Sequence, residues 1–144
     1  MNGKTLFAAL SLLAATPSFA AEEYRALYRK GVELNKKGDL KGAIAWYSKA
    51  IELKKDSADL YYVRGRAYKE DEQLARALED LGKAIALKPD YADAYNHRGA
   101  IHAVQGKGEL AKADFRKSCD LGNAGGCANL KILDKNPAKG KGWP

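Results

Sequence analysis

The sequence predicts an all-α fold: a right-handed α-solenoid of three helical hairpins closed by a C-terminal capping helix. Three observations carry this. Residues 34 apart repeat the same chemistry, as at Gly31, Gly65 and Gly99, at Ala43, Ala77 and Ala111, and at Leu53, Leu87 and Leu121. Within each period, apolar residues recur at helical spacing in two stretches. Turn residues such as Gly38-Asp39 and Pro89 stand between the stretches. A unit this short cannot bury its apolar face alone, so its neighbours in the stack must supply the core.

The chain opens with Lys4, an apolar run from about Thr5 to Ala15, then Thr16, Pro17 and Ser18-Phe19-Ala20. Residues 1–20 are expected to be a secretory signal peptide cut between Ala20 and Ala21. The run is shorter than the roughly 20 apolar residues of a membrane span, and small residues at Ser18 and Ala20 suit a signal peptidase. An uncleaved anchor and an amphipathic first helix are the competing readings. The expected location is the periplasm or the exterior. The helical domain is expected over residues 22–134, with a disordered basic tail over 135–144.

Loss of Lys4 lowers the formal charge from +7 to +6, and the precursor has a pI near 9.3. Basicity favours acidic partners or anionic surfaces. Export, and basic residues scattered over every helix instead of one stripe, argue against nucleic acid. Cys119 and Cys127 would fold where thiols oxidise, which favours a disulfide over two buried free thiols.

Three ungapped units begin at Tyr24, Ala58 and Ala92 and run over 24–57, 58–91 and 92–125. The first helix of each carries a bulky residue at position four (Leu27, Tyr61, Tyr95), glycine at position eight and a large residue at position eleven (Leu34, Tyr68, His102). Glycine in mid-helix costs about 1 kcal/mol relative to alanine, so its recurrence implies close approach of the partner helix. The second helix answers with Ala43 and Ala50, Ala77 and Ala84, and Ala111 with Ser118. Position 24 (Tyr47, Leu81, Phe115) and position 30 (Leu53, Leu87, Leu121) should form its buried stripe. Gly38 can stop one helix and Asp39 cap the next, while Pro89 ends the second helix of unit two. Gly106-Lys107-Gly108 lacks the apolar residue seen at Leu40 and Leu74 and should give a looser, hinge-like turn. A short cap over about 124–134, using Leu130, Ile132 and Leu133, should cover the last hairpin.

This pattern resembles the tetratricopeptide repeat family over roughly residues 22–125. Unit two, from Ala58-Asp-Leu-Tyr61-Tyr-Val-Arg-Gly65 through Ala77 to Ala84-Ile-Ala-Leu87-Lys-Pro89, lies closest to its consensus. Departures are Lys55 in place of the usual proline and Glu72 in place of the turn glycine. From Lys117 to Leu130 the chain looks like the related Sel1-like repeats, whose paired cysteines join one helix to the next; this supports a bridge between Cys119 and Cys127.

The resemblance implies that first-helix positions two, five, nine and twelve face a concave groove. They read Arg25, Tyr28, Val32 and Asn35; Asp59, Tyr62, Arg66 and Lys69; then Asp93, Asn96, Ala100 and Ala103. Tyrosines with neighbouring Arg and Asn suit an extended peptide, offering flat apolar faces and hydrogen bonds. Chaperone-binding members of the family grip a C-terminal carboxylate with Lys, Asn and Arg. The corresponding positions here are Tyr28, Val32, Val63, Asp93 and His97, so that grip is missing.

No catalytic constellation, metal site or cofactor is expected. His97 and His102 are five apart, where paired ligands on a helix stand three or four apart. His102 is expected as a packed ring with one satisfied nitrogen. There is no Cys-x-x-Cys-His for haem, and Gly106-Lys107-Gly108 lacks the ending of a phosphate loop. The expected function is a non-enzymatic adaptor of the cell envelope, monomeric or weakly self-associating, that holds a peptide or protein segment on its concave face. The alternative is attachment to an anionic lipid or polysaccharide through Lys131, Lys135, Lys139, Lys141 and Trp143.

Overall fold

A computed structural model describes residues 17–135. Most of the expected signal peptide, and the tail with Lys139, Lys141 and Trp143, lie outside the described residues. The described chain is all helix: α1 Pro17–Lys36, α2 Leu40–Leu53, α3 Ala58–Glu70, α4 Leu74–Leu87, α5 Ala92–Val104, α6 Gly108–Asp120 and α7 Ala124–Lys135. Packing is almost entirely between sequence neighbours. Helices α1 and α2, α3 and α4, and α5 and α6 close hairpins; α2 meets α3, α4 meets α5, and α7 lies mainly on α6. An all-α helical repeat is therefore the observed fold, with its core divided into small clusters along the stack.

The recurrent glycines have the expected cause. A Cβ on Gly31 would stand 2.5 Å from the Tyr47 ring, one on Gly99 2.9 Å from Phe115, and one on Gly65 3.1 Å from Leu81. Tyr47, Leu81 and Phe115 are buried, as are all five paired alanines and Ser118. Ser118 keeps its hydroxyl satisfied by donating to the Ala92 carbonyl at 2.8 Å.

Two expectations about the stripes need correction. Leu53 and Leu87, at position 30, are exposed rather than buried, because each is the last residue of its helix and lies beyond the packed turns. Ile132 also faces solvent; Leu133 does the covering, with Leu130 packed beside it against Ala100 and Ala103.

The three hairpin turns share one construction. In each, the residue at position fifteen is left-handed: Gly38 at φ 81°, Glu72 at φ 59° and Gly106 at φ 74°. The following amide then donates back to the position-eleven carbonyl, from Asp39 to Leu34 at 3.0 Å, Gln73 to Tyr68 at 2.8 Å and Lys107 to His102 at 2.8 Å. Gly106-Lys107-Gly108 is thus not a looser hinge. It makes the same backbone bond to position eleven as the two turns that have an apolar residue where Gly108 stands. Glu72 is the strained member, since a side chain in this region costs about 1–2 kcal/mol. Asp39 caps α2 as expected, its Oδ1 accepting from the Gly42 amide at 2.9 Å.

Charged residues carry a second periodic feature, which the apolar pattern of the sequence does not reveal. Arg64 forks onto Asp80 at 2.7 and 2.8 Å, and Arg98 forks onto Asp114 at 2.8 and 2.7 Å. Both carboxylates are buried, with side chains 6% and 8% exposed. Arg64 also donates to Ser48 Oγ of α2 at 2.9 Å, so it ties unit two to unit one. Unit one has Lys30 and Trp46 at the equivalent positions and carries no such pair.

At the C-terminal end, Cys119 in the last turn of α6 is bonded to Cys127 in the first turn of α7, with Cα atoms 4.5 Å apart. Removing one partner of a buried ion pair leaves the other charge uncompensated. Asp80→Ala is expected to lower urea stability by about 3–5 kcal/mol, and adding Arg64→Met to recover most of that loss. A double variant no more stable than Asp80→Ala would contradict this account of the pair.

Candidate functional site

A cleft of about 440 Å³ lies between α1 and α3, with Tyr91 of the α4–α5 turn at one side. Five of the concave-face residues expected from the sequence line it: Arg25 and Tyr28 from α1, and Asp59, Tyr62 and Arg66 from α3. The three on α3 fall at helical spacing on one face, which is why one helix delivers them together. Tyr24, Leu60 and Val63 complete the apolar part of the wall.

The aromatic groups are fixed by their neighbours. Tyr62 stacks on Tyr91 with ring centres 4.8 Å apart, and stands 5.7 Å from the His97 ring. Tyr91 donates its hydroxyl to Asp59 Oδ1 at 2.8 Å, and burial and that carboxylate together push its phenol above the ordinary range. Burial also raises the Tyr62 phenol. Tyr28 leans towards Tyr47 at 6.1 Å. The exposed Arg25 and Asp59 and this ring wall face solvent together, the arrangement that holds an extended chain by stacking and hydrogen bonds.

Charge on this face is mixed, with Arg25, Arg66 and Lys69 set among Asp59, Glu70 and Asp93. Arg66 lies 5.8 Å over the Tyr62 ring, with Nη2 a loose 3.6 Å from Glu70, and its buried Nε has no hydrogen-bond partner. One turn on, Lys69 Nζ meets His97 Nδ1 at 3.1 Å. A lysine ammonium only donates, so Nδ1 accepts and the neutral ring carries its proton on Nε2. Burial, then the Lys69 and Arg66 charges, push His97 down to about 4, and burial lowers Lys69 as well.

The remaining expected residues sit elsewhere. Val32 packs with Tyr47, Ala43 and Ala67, and Asn35 is partly buried outside the cleft. Asp93 accepts from Asn123 at 2.6 Å and Asn96 accepts from Asn129 at 2.9 Å, while Ala100 and Ala103 pack with Leu130 and Leu133. The wall of unit three is thus engaged by α7 and the turn before it. The expected row Tyr28, Tyr62 and Asn96 is divided, with Asn96 outside the cleft.

His102 is packed, but its Nδ1 is buried without a partner and Nε2 is 3.9 Å from Asp114, beyond hydrogen-bond reach. The expectation of one satisfied nitrogen fails, because Arg98 holds the nearby Asp114 carboxylate at a distance that the His102 ring does not reach. Among the described residues no group of three or more His, Cys, Asp or Glu could hold a metal ion, and no helix is long and apolar enough to cross a membrane.

Tyr24 and Tyr91 were missed as cleft residues. Their signal was a departure from the repeat: at position one the other units have Ala58 and Ala92, and at position 34 they have Ser57 and Gly125.

A family model described as TPR repeat matches residues 31–71 and 65–106. Among solved structures, the first TPR domain of Spaghetti (RPAP3) bound to the HSP90 peptide SRMEEVD is 28% identical with a TM-score of 0.76, covering 81% of this chain and 94% of that one. The Arabidopsis OM64 TPR domain is 27% identical with a TM-score of 0.76 (81% and 98% covered). The second TPR domain of human RPAP3, in complex with the HSP70 peptide SGPTIEEVD, is 26% identical with a TM-score of 0.74 (80% and 98% covered). No curated protein is significantly similar in sequence.

Because folding holds His97 neutral, the folded state binds fewer protons than the unfolded chain between about pH 4 and the ordinary value of 6.5. Stability from this ring is complete above that window and is lost as pH falls through it. Between about pH 7 and about pH 4.5, the urea stability of the wild type should fall by roughly 1–2 kcal/mol more than that of His97→Gln, the ring being partly solvated. Parallel pH profiles for the two proteins would contradict the assignment.

Proposed function

Because the chain belongs to the tetratricopeptide repeat family, we propose that it is a non-enzymatic interaction scaffold that holds an extended peptide or protein segment in the cleft between α1 and α3. The observation that carries this reading is the tyrosine wall: Tyr24, Tyr28, Tyr62 and Tyr91 line one open cleft together with Arg25 and Arg66. Peptides bound to the RPAP3 domains support the class of ligand. They do not extend to chaperone tails here, since Tyr28, Val32, Val63, Asp93 and His97 occupy the positions that would grip the terminal carboxylate.

The scaffold acts in the cell envelope or outside the cell. The apolar run near the N-terminus and the cleavage-like Ser18-Phe19-Ala20 support export. The Cys119–Cys127 bond is consistent with an oxidising compartment. Cleavage after Ala20 would remove only the first turn of α1 and leave Tyr24 in place.

The cleft is tested with peptides selected from a random display library on the whole mature chain. Tyr28→Ala should weaken their binding by at least about 1 kcal/mol, roughly fivefold, with helicity unchanged. Lys83→Ala and Arg116→Ala, on exposed faces of α4 and α6, should have no effect. Failure to retain any peptide, or binding indifferent to Tyr28→Ala, would refute the reading. Export is tested by intact mass: the mature protein should begin at Ala21, and a cytosolic protein retaining residue 1 would count against it.

A further inference from the structure

We propose that the bound segment presents a carboxylate, and that Arg66 and Lys69 of α3 receive it at the seam between α3 and α5. The proposal rests on the peptide reading above and adds the chemistry of the ligand.

Cations elsewhere in the core are matched with care. Arg64 and Arg98 each have two-point contact with a buried aspartate. Arg66 has no such two-point anionic partner: it approaches Glu70 at 3.6 Å and shares a side-chain hydrogen bond with the Tyr62 phenol, while its buried Nε bonds to nothing. Lys69 is half-buried and its ammonium meets a neutral ring nitrogen, His97 Nδ1, instead of an anion. Two like charges three apart on a helix repel. Partial burial strengthens that repulsion. The missing component is an anion that bridges them.

Its charge can be argued from the same groups. Glu70 stands 3.6 Å from Arg66 and the charge of Asp93 reaches the Tyr62 ring, so little positive charge is left over, which suits a monoanionic carboxylate better than a doubly charged phosphate. Asp93 does not fill the role, because it is held by Asn123. The Tyr62 ring, 5.8 Å from the Arg66 guanidinium and 5.7 Å from the His97 ring, gives the stem of an acidic residue an apolar surface. Positions nine and twelve of unit two are also distinct from the five positions of the chaperone-tail grip described above.

The test uses the display-selected peptides on the whole mature chain. Each Asp or Glu of a peptide is changed in turn to Asn or Gln, and its C-terminal acid is exchanged for the amide. One of these neutralisations should weaken binding to the wild type at least about tenfold, as expected for a charge-assisted contact. It should matter less than about twofold for the Arg66→Gln/Lys69→Gln variant, and Arg66→Lys should keep most of the effect. Which neutralisation acts tells a side-chain carboxylate from a terminal one. Circular dichroism and urea midpoints check that the variants are folded. If peptides remain sensitive to Tyr28→Ala but indifferent to every neutralisation, or lose equally in both proteins, the carboxylate is overturned while the cleft stands. If no peptide depends on Tyr28, both fall.

Discussion

The hairpin geometry depends on one contact: the first helix of each unit lies so close to the second that only a hydrogen fits between Gly31 and Tyr47, or between Gly99 and Phe115. A methyl group there would meet a buried ring that has nowhere to go, because close-packed interiors leave little slack. That distance fixes how closely the first helix of each hairpin can pack on the second. Repeating the hairpin places α1 and α3 side by side, and the tyrosine cleft lies between them. The small residues opposite, from Ala43 to Ser118, keep the approach equally tight on the second helix.

On this frame, polar groups join unit to unit. Arg64 and Arg98 each hold a buried aspartate, and Arg64 reaches back to Ser48 of the preceding unit. At the far end α7 stands where the first helix of a fourth unit would begin, bonded through Cys119 and Cys127 and packed over Ala100 and Ala103. A stack must cover its last apolar face somehow. Here the cover uses the wall of unit three, so the end that is sealed is also the end withdrawn from the cleft.

Most of the fold was legible because it is periodic. Gly31, Gly65 and Gly99 mark the tight contacts, and Asp39 and Gly38 mark a turn, each by a residue type with one physical reason to be there. The exposed Leu53 and Leu87 show the limit of that logic, since a repeat position says nothing about whether a helix ends there. The left-handed backbone of Glu72 was legible only as a departure from glycine. The Arg–Asp pairs were periodic too, but charged residues on a helix ordinarily read as its solvated face. The cleft was half legible: positions two and five of the first two units and position nine of the second are there, whereas Val32 packs inward, Tyr24 and Tyr91 enter because they break the repeat, and Asn96 drops out because α7 bonds to it. Contacts made by the closing element have no counterpart in earlier units, so periodicity could not foresee them.

The site that results is asymmetric along the stack. Units one and two offer rings and cations to solvent, while unit three offers surfaces already bonded to α7. The most direct test of this account is amide hydrogen exchange across the whole mature chain, free and saturated with a display-selected peptide. Slowed exchange confined to α1, α3 and the turn carrying Tyr91 is the predicted result. Slowed exchange centred on α5 and α7, or on the α2, α4 and α6 faces, would contradict it.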